Sequence, residues 1–181
     1  GGLQALGRPG PSRGARRRAM AQPGAAPEGA PPSPPPDFLV LGASGFLGGA
    51  IVRALQRGGY AVATSRVRLQ DRVGMEQALD AGRPAIGVIC AAGERGRPNI
   101  SWCDAHPIET LDANITGQLN VAAACQARGI HVILLGTGAF YTADPSSPGK
   151  RFAEDDAPNL TDGVYLALRV KLEELLAYFD N

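Results

Sequence analysis

The sequence predicts an α/β fold, a doubly wound parallel sheet with helices on both faces. Three observations predict it. From residue 37 onward, short apolar runs alternate with stretches of helical spacing. The glycine-rich segment Gly42-Ala43-Ser44-Gly45-Phe46-Leu47-Gly48 lies directly between the first apolar run and the first helical stretch. Gly42, Ala92 and Thr137 then fall at the carboxyl ends of expected strands, where sheets of this kind hold their ligands.

The elements follow in order. Phe38-Leu39-Val40-Leu41 is a continuous apolar run suited to a strand buried on both faces. Phe46, Leu47, Ile51, Val52 and Leu55 recur at helical spacing through residue 57, and Gly58-Gly59 ends that helix. Residues 60–64 read as a second strand. Asp71 caps a helix running to about Leu79, with Gly82 after its end. Residues 84–92 form a third strand with 86–90 at its core. A long helix is expected over residues 108–127, closed by Gly129, then a strand over 132–135 and a final amphipathic helix over 164–178. The order β-α-β-α-β-α-β-loop-α calls for right-handed parallel crossovers.

The glycine segment has the geometry that a pyrophosphate needs. Gly42 permits the tight turn, Gly45 lets backbone approach the phosphates, and Gly48 lets the helix pack closely against the strand. The first helical N–H groups of Phe46, Leu47 and Gly48 face the anion beside Ser44. This is a Rossmann-type arrangement for a dinucleotide. The end of the second strand selects between cofactors. An acid there would bind the ribose 2′-hydroxyl of NAD, but the sequence is Thr64-Ser65-Arg66-Val67-Arg68. Arg66 or Arg68 could instead pair with a 2′-phosphate, which favours NADP over NAD; the alternative is two solvated surface arginines.

Composition sets bounds on the rest. The 181 residues suffice for one domain and are 44% hydrophobic. No apolar stretch has the length of a membrane span, so no membrane partner is expected. Residues 1–36 hold five Arg against Glu28 alone, which leaves 13 basic and 16 acidic residues in the remainder, a net charge of −3. That balance argues against nucleic acid as a partner. Residues 21–36 contain seven Pro, and the segment 1–36 is expected to be a disordered Pro/Gly/Arg-rich tail. Its arginines also fit an organelle transit peptide. Cys90, Cys103 and Cys125 form no CxxC pair, and His106 and His131 stand apart, so no metal site is expected. Reduced thiols fit a cytoplasmic setting.

Tyr165 and Arg169 share a helix face at i,i+4. A phenol beside a cation can act as the acid that protonates a ketone as hydride arrives. Thr137 could offer a second hydroxyl to the same oxygen. Equally, Tyr165, Leu168 and Leu172 could simply face the core, with Arg169 paired to Glu173.

These residues together resemble an extended short-chain dehydrogenase/reductase: the glycine segment, the Ala91-Ala92-Gly93 turn, Asn114, Thr137 and the Tyr165 helix. Within that family the chain looks like the bifunctional nucleotide-sugar 3,5-epimerase/4-reductases that make activated L-rhamnose. The stretches carrying this likeness are Arg68-Leu69-Gln70-Asp71-Arg72, Gly96-Arg97-Pro98-Asn99, Trp102-Cys103, Thr137-Gly138 and Glu173-Glu174-Leu175-Leu176. The resemblance covers nearly all of residues 37–181. It implies reduction of a nucleotide-linked 4-keto sugar with NADPH as hydride donor. Gly42, Gly45 and Gly48 would cradle pyrophosphate, Ala91, Ala92 and Asn114 would lie beside the cofactor, Thr137 would take the Ser/Thr role and Tyr165 the acid role. Arg169 stands where the family has lysine, and Ala139 where its epimerase step uses cysteine. Family members also continue into a sugar-binding lobe, so a chain ending at Asn181 is expected to lack its C-terminal substrate lobe. Non-catalytic members of the wider superfamily serve as regulatory subunits, as in methionine adenosyltransferase. A dimer or a regulatory partner protein is therefore the alternative to a nucleotide-sugar substrate.

Overall fold

A computed structural model describes residues 34–143, 146, 149 and 151–180. The expected tail, 1–36, lies almost wholly outside the described residues. Four strands form the sheet: β1 (Phe38–Leu41), β2 (Val62–Ser65), β3 (Gly87–Cys90) and β4 (Val132–Leu134). All are parallel, in the spatial order β2-β1-β3-β4. Leu41 pairs with Ser65 on one side and Cys90 on the other, so the strand ends that precede the ligand-facing loops lie level.

Helix α1 (Phe46–Arg57) joins β1 to β2 and begins and ends where the apolar spacing places it. Gly59, with φ +87°, closes it, and the Tyr60 amide still donates to the Leu55 carbonyl at 3.1 Å. That closing bond is why β2 starts at Val62 rather than at residue 60. Helix α2 (Arg72–Ala81) is capped by Asp71, whose carboxylate accepts from the Gly74 amide at 2.9 Å.

The helix expected over 108–127 is present as one continuous helical run from Pro107 to Gln126, preceded by a short helix that the sequence pattern does not mark. Helices α3 (Ser101–Ala105) and α4 (Pro107–Leu111) meet at His106, whose φ of −132° and following Pro107 prevent one continuous helix. A π-turn (Asp112–Thr116) then leads into α5 (Gly117–Gln126). The last helix, α6 (Val164–Leu176), ends two residues before the expected 178, where the amides of Tyr178 and Phe179 turn back to carbonyls three residues earlier.

Leu39, Leu41, Val88 and Cys90 face Met75 and Leu79 of α2 and Val121, Ala124 and Cys125 of α5, forming the main core. Alternation puts Val40, Ile89 and Ile133 on the other face, which right-handed crossovers assign to α1. Val40 there is fully buried, whereas Ile133 is 43% exposed, so α1 shields the centre of that face and leaves the β4 edge open. Arg128 fastens the end of α5 to α2 through two hydrogen bonds to Asp80, at 2.7 and 2.9 Å.

Candidate functional site

A cavity of about 810 Å³ opens at the carboxyl ends of β1, β2 and β3. Its floor is the β1–α1 turn, where Gly42, Ser44 and Gly45 line it. Gly42 has φ +76°, and a Cβ there would stand 2.7 Å from the Ala92 amide nitrogen. A Cβ on Gly48 would meet the Gly42 carbonyl oxygen at 2.2 Å. Gly48 therefore serves the contact between the helix and its preceding turn more than a contact with the strand. The Gly49 amide makes the first helical bond, to Gly45. The amides of Phe46, Leu47 and Gly48 are left without intrahelical partners. Helix α1 has no side-chain cap and no acid in its first turn, so its positive end is not neutralised.

The segment after β2 forms one side wall. Ser65, Arg66 and Arg68 line the cavity, and both arginines are exposed. Neither has an ion-pair partner among the described residues. The opposite wall follows β3 and comprises Ala91, Ala92, Gly93 and Glu94, with Arg97, Trp102, Glu109 and Ala113 beyond. Among the described residues no cluster of three or more His, Cys, Asp or Glu is placed to hold a metal.

Both walls are fastened by side chains of the helical run from the π-turn into α5. Asn114, fully buried in the π-turn, donates to the Glu94 carbonyl at 2.6 Å and accepts from the Glu94 amide at 3.2 Å. Gln118 donates to the Ala92 carbonyl at 2.6 Å, and Asn120 donates to the Leu69 carbonyl at 3.0 Å. Asn114 thus holds the wall rather than facing the cavity. Gln118 is buried and Asn120 half-buried, and amides spaced along an apolar helix are the sequence signal for such contacts.

The remaining expected residues lie elsewhere. Phe46 and Leu47 head α1 and are 90% and 57% exposed, outside the cavity lining. Thr137 follows β4, and its hydroxyl accepts from the Ala139 amide at 3.2 Å. Tyr165 is half-buried in the first turn of α6. Arg169 is buried, and one guanidinium nitrogen donates to the Leu135 carbonyl at the end of β4. Its Nε has no hydrogen-bond partner. The expected alternative pairing with Glu173 does not form. Burial pushes the Cys90 thiol up to about 11, against the pull of the nearby Arg169 charge. None of Thr137, Tyr165 and Arg169 lines the cavity.

The sequence and fold match known proteins. Residues 38–181 match the model of the NAD dependent epimerase/dehydratase family. The chain is 35% identical, over 84% of its length, to a trifunctional UDP-glucose 4,6-dehydratase/UDP-4-keto-6-deoxy-D-glucose 3,5-epimerase/UDP-4-keto-L-rhamnose-reductase of Arabidopsis thaliana, covering 23% of that protein. It is 34% identical, over 80% of its length, to a bifunctional dTDP-4-dehydrorhamnose 3,5-epimerase/dTDP-4-dehydrorhamnose reductase of the same plant, covering 49% of it. Among solved structures, the L780 UDP-rhamnose synthase of Acanthamoeba polyphaga mimivirus superposes with a TM-score of 0.72 at 25% identity, over 82% of this chain and 54% of that one. The chain thus spans about half, or less, of the length of these relatives.

Proposed function

The chain belongs to the NAD dependent epimerase/dehydratase family, and from that premise we propose that it binds NADP and reduces a nucleotide-linked 4-keto sugar of the rhamnose type. The observation that carries the reading is the cavity itself. The amides of Phe46, Leu47 and Gly48 offer donors to a pyrophosphate, and the glycine contacts leave room for backbone to approach it. Arg66 and Arg68 stand where an acid would favour NAD, and their forks suit a 2′-phosphate. These residues fit a dinucleotide, which when bound supplies the hydride.

The chain's own residues would do the rest. Tyr165 would donate its phenolic proton to the substrate carbonyl oxygen as that oxygen gains negative charge, and Thr137 would hold the same oxygen with its hydroxyl. Arg169 keeps a positive charge four residues from Tyr165 without itself exchanging a proton.

Calorimetry on the whole chain tests the cofactor assignment: NADPH should bind about tenfold tighter than NADH, the value of one charge-assisted pair. Equal binding, or none, overturns it. Oxidation of NADPH in the presence of a UDP- or dTDP-linked 4-keto-6-deoxy sugar tests the reaction.

A second reading has its own observation. Arg169 stands at the family's lysine position yet is buried on the Leu135 carbonyl, and the reacting side chains do not line the cavity. A non-catalytic, dinucleotide-binding regulatory or scaffolding subunit would show this arrangement. It predicts tight NADPH binding with no turnover, and Arg169→Lys tests it: turnover should rise if Tyr165 is the acid and stay at zero if the chain is a scaffold.

A further inference from the structure

The helix that carries Tyr165 starts without a cap of its own. Gly163 stands at the cap position of α6 and makes no side-chain bond, and the first helical bond runs from the Ala167 amide to the Gly163 carbonyl. The three amides before Ala167 therefore need partners from outside the helix. One is supplied from far away in sequence. The Asp104 carboxylate accepts from the Val164 amide at 2.8 Å, across a separation of 60 residues. The chain can approach so closely because residue 163 is glycine: its φ is +87°, and a Cβ there would stand 3.2 Å from the same carboxylate oxygen.

Asp104 belongs to α3, and so does Trp102, which lines the dinucleotide cavity. The two are held as one unit. Cys103 between them is fully buried. The His106 ring stacks on Trp102 at 4.0 Å, with its Nδ1 2.9 Å from the Trp102 carbonyl oxygen. The Thr110 hydroxyl donates to the His106 carbonyl at 2.7 Å, anchoring the unit to α4.

We propose that Asp104 is a positioning residue, through which the short helix carrying Trp102 in the cavity wall fixes the first turn of α6 and hence Tyr165. The proposal rests on the dinucleotide reading of the cavity and adds to it a link from cofactor occupancy to the order of the Tyr165 turn. A carboxylate at this place also complements the positive end of α6.

Hydrogen exchange on the whole chain tests it, with Asp104→Ala and Asp104→Asn compared to the parent, with and without NADP. Without ligand, Asp104→Ala should speed exchange in residues 164–167 by roughly five- to tenfold, the loss expected for a removed cap, while Asp104→Asn retains most protection because its amide oxygen still accepts. NADP should slow exchange there in the parent and in Asp104→Asn, but not in Asp104→Ala. Affinity for NADP should stay within about twofold in all three, since Asp104 does not line the cavity. Equal exchange in the parent and Asp104→Ala overturns the anchor. Equal slowing by NADP in Asp104→Ala overturns the link. If the parent binds no NADP, the cofactor reading and the link both fall, while the ligand-free comparison still decides the anchor.

Discussion

The floor of the cavity at the ends of β1, β2 and β3 is a backbone turn, whereas the corner between β4 and α6 is made of side chains. At the first, glycine contacts and unbonded amides define the space, and buried amide side chains hold it from behind. At the second, Thr137 and Arg169 are tied to local structure, and neither they nor Tyr165 line the cavity. Backbone geometry is complete once the strands and turns form. A reacting corner also needs its side chains turned toward a common point. The difference teaches that the cavity is shaped once the sheet and its turns form, whereas the corner depends further on how three side chains turn.

The largest expected effect breaks the backbone side of that contrast. Gly48→Ala drives a methyl into the Gly42 carbonyl, 2.2 Å away, and neither partner is a flexible side chain. Overpacking of this kind costs up to about 3 kcal/mol, so calorimetry should show affinity for NADPH falling roughly a hundredfold. Retained affinity would mean that the turn does not shape the site. Asn114→Ala comes next. It strips partners from the Glu94 amide and carbonyl and should lower stability by about 2 kcal/mol, read as a shifted urea midpoint with an unchanged slope.

A double Arg66→Ala, Arg68→Ala change sharpens the cofactor side. It should weaken NADPH about tenfold while NADH changes little. A parallel loss for both cofactors would assign these arginines to the shared phosphates instead. At the corner, Tyr165→Phe should leave NADPH affinity within about twofold while abolishing any sugar-dependent oxidation of NADPH.

The smallest effect concerns the buried thiols. Burial raises Cys90 from 9.0 to about 11 and Cys125 from 9.0 to about 12. Their neutral forms stabilise the fold fully below about pH 9, and that contribution declines as pH rises through the folded values. Iodoacetamide at pH 8 should therefore leave both unmodified, by mass spectrometry, until the chain is unfolded.

Much of this was legible in sequence where the signal is local. Helix α1 matches its expected bounds because an apolar period lies between glycines on both sides. Asp71 reads as a cap from its neighbours alone. The strand edges shifted where a turn's own hydrogen bonds, such as Tyr60 to Leu55, outlast the apolar run. Helix α3 was missed because five residues, Ser101–Ala105, are too few to show a period. The site divides in the same way. The glycine turn and the two arginines could be named from sequence, because their roles depend on position along one stretch of chain. The holding contacts of Asn114, Gln118 and Asp104 reach 20, 26 and 60 residues along the chain, and no local pattern records a partner at that distance.

The π-turn at Asp112–Thr116 works as a phase adjustment. An ordinary helix advances about 100° per residue, and the wider turn holds one residue more than a regular one. Asn114 and Gln118 meet the two ends of the Ala92-Gly93-Glu94 wall only at the rotation that this extra residue supplies. Removing one residue from 112–116 would restore a regular helix and swing everything upstream of the deletion by about a quarter turn relative to α5. The length of this segment is thus as tightly constrained as its composition, and an in-frame deletion here would be felt first in the cavity wall.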